Sequence, residues 1–126
     1  MGSLILDASV LIALLDRADP HNARAVDEVE AADRDGETLV TAASAYSEAL
    51  VAFARAARVK DAREALAAMG IAVAPLDAGS AEQAAALRAR HAHLRLPDAM
   101  VLATARQLGG RLLSYDQRLQ RYAQGP

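Results

Sequence analysis

The chain has 126 residues, of which 53% are hydrophobic and 3% aromatic, and its formal net charge is −2. This length and apolar content predict one domain, residues 1–126, with a single core. The charge excludes a strongly basic nucleic-acid-binding protein, and the few aromatic residues argue against a module that stacks bases on aromatic rings. Since the sequence has no cysteine, disulfides, thiolate metal sites and a cysteine nucleophile are excluded.

No apolar run approaches the roughly 20 residues that a helix needs to cross a bilayer. The first residues, MGSLILDAS, contain only a short apolar stretch and lack the basic region of a signal peptide. We therefore expect a soluble cytoplasmic protein that does not bind a membrane.

The first half of the chain alternates short apolar runs with helical patterns. Leu4–Leu6 predicts a buried strand, and residues 10–17 either prolong it or, in the favoured interpretation, begin a helix. A second helix is predicted with Asp19 as N-cap and Pro20 at its first position, and it ends near Gly36. The next predicted elements are a strand at 38–41 and helices at 44–57 and 59–69.

The second half continues the alternation. A third strand is predicted from residue 71 and is stopped by Pro75, and Ser80 with Gln83 forms a capping-box pattern for the next helix. The helix after Pro97 ends at the glycine pair 109–110. The last predicted elements are a strand at 111–116 and a short helix or turn at 116–123. Strands that alternate with helices predict an α/β fold, with a parallel sheet of four to five short strands flanked by helices.

Four acids lie near the predicted strand ends. Asp7 and Asp116 end the first and fourth strands, Asp98 begins the helix before the last strand, and Glu48 lies about one turn into the helix after the second strand. Ligands of open parallel sheets bind beyond the carboxyl ends of the strands. Grouped carboxylates repel each other unless a cation intervenes, and Mg²⁺ or Mn²⁺ prefers oxygen ligands. Two such ions about 4 Å apart can activate water and stabilise the leaving oxygen of a phosphodiester.

Each acid also has a purely structural explanation. Asp7 can cap the segment that follows it, and Asp98 can be a first-turn acid favoured by the helix dipole. Glu48 can be a solvated helix residue and Asp116 an ordinary turn residue. The spacing alone therefore leaves both interpretations open for all four acids.

Three segments resemble the PIN-domain ribonucleases and, among them, the VapC toxins of bacterial toxin–antitoxin pairs. The segments are LILDASVLIALL, SAYSEAL and LRLPDAMVLATARQLGGRLLSYD. The resemblance runs from about Leu4 to Arg121, and LPDAMVLATA, followed by a glycine pair and a strand ending in an acid, is its most specific part. The ordered set of Asp, Glu, Asp and Asp in a chain of this length carries more weight than a single D-x-S motif.

The resemblance implies which residues form the active site. Catalytic and metal-binding roles fall to four acids: Asp7, Glu48, Asp98 and Asp116. Supporting roles fall to Ser9 in the D-x-S position and to Ser114, at a position that is often threonine. Tyr115 is expected to pack on a sheet face as part of the last strand.

The resemblance also implies an activity and partners. It implies a metal-dependent endonuclease that cleaves single-stranded regions of RNA and leaves a 3′-hydroxyl and a 5′-phosphate. The cofactor is expected to be Mg²⁺, with Mn²⁺ as a substitute. The expected partners are the RNA substrate, a cognate VapB-like antitoxin that covers the pocket, and a second copy of the chain in a homodimer.

The histidines and arginines have ordinary explanations beside functional ones. His91 and His93 lie at the end of a helical stretch, where this spacing splays their rings apart, and His21 is likewise interpreted as a surface residue. Two basic stretches, residues 55–63 and 88–95, are either solvated faces or guides for RNA phosphates. The second stretch includes Arg95.

Two further functions stay open. A phosphotransfer or phosphatase domain would use Asp7 as its nucleophile, but such sites usually hold the phosphoryl group with a lysine near the last strand. Lys60 is the only lysine and is poorly placed for that role. A catalytically silent PIN-like scaffold would only bind partners; loss of one of the four acids would favour it, and all four are present.

Overall fold

The computed structural model describes residues 2–124, in which four strands and seven helices are found. The strands, numbered β1–β4, span Ser3–Leu6, Thr38–Ala42, Ala72–Ala74 and Arg111–Leu113. The helices, numbered α1–α7, span Ala8–Leu15, Asn22–Arg34, Ala43–Arg55, Val59–Ala68, Ala78–Arg90, Leu96–Leu108 and Gln117–Gln124. None of these described helices is long and apolar enough to cross a membrane.

The strands form one parallel sheet in the order β3-β2-β1-β4. The predicted α/β fold with a parallel sheet is therefore confirmed, with four strands. The chain moves from β1 outward to β2 and β3, then crosses to the other side of β1 to form β4. This reversal puts a crevice at the carboxyl end of β1, which is where open α/β sheets bind ligands.

Side chains of β1 alternate between the two faces of the sheet. Leu4 and Leu6 pack with residues of α1, α2 and α4 on one face, whereas Ile5 packs with Ala105 of α6 on the other. Helices α5 and α7 contribute to the core on the α6 side. Because helices cover both faces, all three side chains are fully buried, which explains why β1 is a continuous apolar run.

Two helix starts differ from the prediction. Helix α2 begins at Asn22 rather than after Asp19, because the Asp19 carboxylate accepts the backbone N–H of His21 at 2.8 Å and closes a turn instead. Helix α5 begins three residues early because Asp77 is its N-cap and accepts the N–H of Ser80 at 2.8 Å. Ser80 is consequently inside the helix, buried against Gln107, and the predicted capping box is wrong.

The last strand is shorter than predicted. β4 ends at Leu113, so the segment that carries Ser114, Tyr115 and Asp116 is a loop. Tyr115 is therefore outside the strand, but it still packs against the core cluster that contains Leu4 and Leu6, and its hydroxyl donates to Glu28 of α2 at 2.6 Å. Burial and the neighbouring Glu28 carboxylate raise the pKa of Tyr115, so the hydroxyl stays protonated and ties the loop to α2.

Gly110 allows β4 to lie directly against β1, and we expect Gly110→Ala to destabilise the fold. A Cβ atom at this position would lie 2.8 Å from the backbone oxygen of Ser3, so a strand would have to shift. Overpacking of this kind costs about 1–3 kcal/mol of unfolding free energy. Thermal unfolding followed by circular dichroism measures the loss, with Gly2→Ala as control because a Cβ there meets nothing within 4 Å. Equal melting temperatures for both variants would contradict the expectation.

Candidate active site

A pocket of about 200 Å³ lies at the carboxyl edge of the sheet, and it is lined by all four predicted acids. They come from four segments of the chain: Asp7 from the β1–α1 junction, Glu48 from α3, Asp98 from the first turn of α6, and Asp116 from the loop after β4. Strands β1, β2 and β4 are parallel, so their carboxyl ends meet at this edge. We call this cavity the acidic pocket.

Asp7 is the most buried of the four acids, with 5% of its surface exposed. It caps α1, since its Oδ1 accepts the backbone N–H of Val10 at 3.3 Å, and the same oxygen accepts the Ser9 hydroxyl at 2.6 Å. Its Oδ2 accepts the Ser114 hydroxyl at 2.5 Å. Capping and pocket formation are therefore combined in one side chain. Burial raises the pKa of Asp7, although the hydrogen bonds from Ser114, Ser9 and Val10 lower it.

The two predicted supporting serines connect Asp7 to the loop after β4. The Ser114 Oγ accepts the backbone N–H of Asp116, and the Ser9 Oγ accepts the backbone N–H of Tyr115, each at 3.0 Å. Each serine thus donates to Asp7 and accepts from the loop. This arrangement fixes both the Asp7 carboxylate and the backbone that positions Asp116.

Asp116 is exposed, and its carboxylate organises the start of α7. Its Oδ1 accepts the backbone N–H groups of Arg118 at 2.9 Å and Leu119 at 3.4 Å. Asp116, like Asp7, therefore both stabilises a helix start and lines the acidic pocket.

Arg95 bridges two of the acids. Its Nη2 lies 3.1 Å from Glu48 Oε1, and its Nε lies 3.2 Å from Asp98 Oδ2. The hydrogen bond that Arg95 donates to Asp98, together with the charges of Asp98 and Glu48, raises the pKa of Arg95. The pKa of Glu48 is raised by burial and by the charges of Asp98 and Asp7, although Arg95 lowers it. Arg95 therefore neutralises part of the pocket, a role distinct from the predicted solvated face or RNA guide.

Two hydroxyl residues that the sequence analysis did not consider support the pocket. The Ser44 hydroxyl donates to the backbone oxygen of Pro97 at 3.0 Å, which joins the first turns of α3 and α6. The fully buried Thr41 donates to the backbone oxygen of Leu6 at 2.7 Å, next to Asp7. The Ser44 bond holds together the helices that carry Glu48 and Asp98, whereas the Thr41 bond joins β2 to β1. Both are long-range contacts that no local sequence pattern identifies.

A family model for the PIN domain matches residues 4–125. The chain belongs to the PIN domain family. Its fold is similar to that of Mycobacterium tuberculosis VapC20, a toxin that cleaves the sarcin–ricin loop, with a TM-score of 0.73, 20% identity and 95% of each chain covered. It is also similar to a chain of a toxin–antitoxin complex from Klebsiella pneumoniae, with a TM-score of 0.71 and 23% identity over 92% of this chain and 88% of that one. No curated protein matches the sequence significantly.

The acids of this PIN domain share a pocket without forming a tight cluster. Within residues 2–124, no three His, Asp or Glu side chains lie close enough together to hold one metal ion. The expected gathering of all four carboxylates around a cation is therefore not present in this arrangement. The physical reason is that Arg95 engages Glu48 and Asp98, while serine hydroxyls engage Asp7.

The donor set of the PIN domain nevertheless fits a hard divalent cation. The acids offer only carboxylate oxygens, which Mg²⁺ and Mn²⁺ prefer. Asp7 is buried, and in the described part of the chain its bonds come from neutral groups and none from a cationic side chain. Because buried carboxylates are almost always paired with a positive charge, Asp7 has the environment of a cation ligand.

The histidines of the PIN domain lie outside the acidic pocket. His21 stacks on Tyr115 with ring centroids 4.6 Å apart, and His91 lies edge-on to Tyr122 at 5.2 Å. His21 and His93 are exposed, whereas His91 is half-buried. Surface placement, as predicted, is confirmed for His21 and His93, and packing against Tyr122 accounts for His91.

Proposed function

We propose that this PIN domain is a metal-dependent endoribonuclease that hydrolyses phosphodiester bonds in single-stranded regions of RNA. The observation that carries the proposal is the convergence of Asp7, Glu48, Asp98 and Asp116 on one pocket, in which Asp7 is buried and has no cationic partner among residues 2–124. The likeness of the fold to a toxin that cleaves an RNA loop supports the same activity.

The four acids would hold Mg²⁺, or Mn²⁺ in its place. When bound, such an ion lowers the pKa of a water molecule and neutralises charge on the phosphate. Asp7 contributes a carboxylate that Ser9 and Ser114 hold in one orientation, and Asp116 contributes one at the exposed side of the pocket. No histidine lines the pocket, so we assign no general base to a histidine.

The proposal includes the partners of a toxin–antitoxin system. A chain of similar fold comes from a toxin–antitoxin complex, which supports a VapB-like antitoxin as the inhibitor of this chain. We also propose that the toxin forms a homodimer and acts in the cytoplasm, where RNA substrates are found.

Chelation and a charge-removing variant test the activity. We expect cleavage of single-stranded RNA to be abolished by EDTA, restored by Mg²⁺ or Mn²⁺, and lost in Asp98→Asn, because neither the cation nor its full set of ligands is then present. Gel analysis of a labelled RNA measures the products. Glu82→Gln is the matched control, because Glu82 is an exposed acid of α5 outside the acidic pocket. Cleavage that persists in EDTA would refute the metal-dependent mechanism.

A catalytically silent scaffold is the second candidate function. It is favoured by the Arg95 bridge, since an internal cation already compensates Glu48 and Asp98. This candidate predicts tight antitoxin binding together with no heat of binding for Mg²⁺ or Mn²⁺ in calorimetry. Saturable binding of either ion would exclude it.

A further inference from the structure

A second cavity of about 210 Å³ adjoins the acidic pocket and shares three residues with it: Arg95, Asp98 and Asp116. We call this cavity the flanking pocket. Because three residues line both cavities, the cavities are neighbours on the surface of the molecule. The flanking pocket is therefore close enough to the acids to hold a group adjacent to one bound beside them.

The other walls of the flanking pocket come from α7 and from the segment between α5 and α6. Leu94 and Leu119, each 2% exposed, provide buried apolar surface. Arg118 and Tyr122 are four residues apart on α7, so their side chains lie on the same face of the helix. The lining of the pocket is thus mainly polar and includes a cation and an aromatic ring, with the two leucines beneath it.

Arg118 is a cation with no partner in the described part of the chain. It is exposed and forms no ion pair with any of residues 2–124, whereas Arg95 is engaged with two acids. Its backbone N–H is fixed by the Asp116 carboxylate at 2.9 Å. A guanidinium in this position suits a phosphate, which it contacts through two parallel N–H groups.

Tyr122 supplies an aromatic ring whose position is defined. It is half-buried, and its contact with His91 is edge-on, with an interplanar angle of 65°. Aromatic rings that line a nucleic-acid groove form platforms on which unpaired bases stack. The cavity is smaller than the roughly 300 Å³ at which sites for whole small molecules begin, so it suits one base rather than a duplex.

We propose that the flanking pocket is the subsite for the nucleotide next to the scissile phosphate, with Arg118 binding its phosphate and Tyr122 stacking on its base. The inference rests on the proposed ribonuclease function and adds to it the residues that select an unpaired strand. A duplex cannot enter because its bases are stacked and paired, whereas a single strand can turn one base outward.

Equilibrium binding of a fluorescently labelled single-stranded RNA in EDTA tests the subsite without cleavage. We expect Arg118→Gln to weaken binding roughly 3- to 10-fold and to reduce the slope of log K against log salt by about 0.7, the value for one phosphate contact on a single strand. Arg121→Gln is the matched control, because Arg121 is an exposed arginine of α7 that does not line the flanking pocket. Equal losses in both variants would overturn the assignment of Arg118.

The aromatic platform is tested with a pair of variants and a second RNA. We expect Tyr122→Leu to weaken binding roughly 10-fold, as for loss of one stacked base, whereas Tyr122→Phe keeps the ring and binds like the wild type. An RNA with an abasic nucleotide beside the cleaved bond should bind Tyr122→Leu and the wild type equally. Melting temperatures identify any variant that does not fold, and a Tyr122→Phe variant as weak as Tyr122→Leu would overturn stacking.

Different outcomes would overturn the proposed subsite and the proposed nuclease activity. RNA cleavage with unchanged binding in Arg118→Gln and Tyr122→Leu would overturn the subsite and leave the proposed function intact. Binding that depends on both residues, without cleavage in Mg²⁺, would support the subsite and remove the nuclease. If these variants lost affinity for the antitoxin while RNA binding stayed constant, the pocket would be a protein-binding site and the inference would be wrong.

Discussion

Replacing Asp7 with asparagine should abolish RNA cleavage and, at the same time, stabilise the metal-free protein. The side chain keeps its shape but loses the charge that binds a cation, which is worth several kcal/mol in the transition state, so we expect a loss of at least about 1,000-fold. In the absence of metal the same charge is buried, and no cationic side chain in the described part of the chain pairs with it. Its removal should add about 1 kcal/mol to the unfolding free energy and roughly 4 °C to the melting temperature.

The stabilising effect should depend on pH in a defined direction. Burial raises the pKa of Asp7 above its ordinary value of 3.8, so the folded protein binds this proton more tightly than the unfolded chain. The stabilisation from that proton is complete below pH 3.8 and is lost as the pH rises through the raised pKa. As the pH rises through this range, the melting temperature of the wild type should therefore drop below that of Asp7→Asn, and it should remain lower at neutral pH.

Melting temperatures of both proteins in EDTA, measured across this pH range, test the expectation. Asp77→Asn is a control in which the pH dependence of stability has the opposite direction, because the hydrogen bonds from Ser80 lower the pKa of Asp77. Asparagine remains a good N-cap, so the helix start is preserved. The Asp77 charge contributes stability above pH 3.8 that is lost as the pH falls through its lowered pKa. An Asp7→Asn variant that melts below the wild type at neutral pH would contradict our account of the buried charge.

Replacing Arg95 with glutamine should tighten the binding of Mg²⁺ and Mn²⁺ roughly fivefold. The guanidinium forms ion pairs with Glu48 and Asp98, and it therefore competes with a bound cation for both carboxylates. Arg95 is 59% exposed, so each pair is worth about 0.2–1 kcal/mol. Loss of the two ion pairs then costs about 1 kcal/mol, which corresponds to a roughly fivefold change in the dissociation constant of the metal ion.

Isothermal titration calorimetry with each ion measures this change. Arg111→Gln is the matched control, because Arg111 is 60% exposed and pairs with Glu37, which does not line the acidic pocket. Its loss should leave metal affinity unchanged. Weaker ion binding by Arg95→Gln would mean that the arginine arranges the carboxylates for metal rather than competing with it.

The parallel sheet was predictable because it depends on short-range patterns, whereas the assignment of the four acids to one site came from the resemblance to PIN-domain ribonucleases. Apolar runs that alternate with helices specify the sheet, and an acid directly after a buried strand, such as Asp7, must lie at the strand end. Helix starts were less predictable since several residues near each start can act as caps. Asp77 and Ser80 are both suitable N-cap residues, and the chain selects Asp77 because Ser80 is needed inside the fold against Gln107.

The ion-pair partners of the acids were less predictable than the positions of the acids in the fold. The partner of Glu48 is Arg95, which lies 47 residues away along the chain, and no local pattern specifies that contact. The pair of Arg95 with Asp98 has the i, i+3 spacing of a helical ion pair and was visible in the sequence. That spacing alone, however, does not place Arg95 in the acidic pocket; the contact with Glu48 does.

The hydrogen bond between Ser114 and Asp7 spans 107 positions of the sequence. A ribosome that adds about 5–20 residues per second therefore needs roughly 5–20 seconds after making Asp7 to deliver the serine that orients it. During that interval the nascent chain lacks β4 and Asp116 as well. A growing polypeptide of this kind has no assembled acidic pocket, so the proposed nuclease activity would begin only after translation has passed β4 and Asp116.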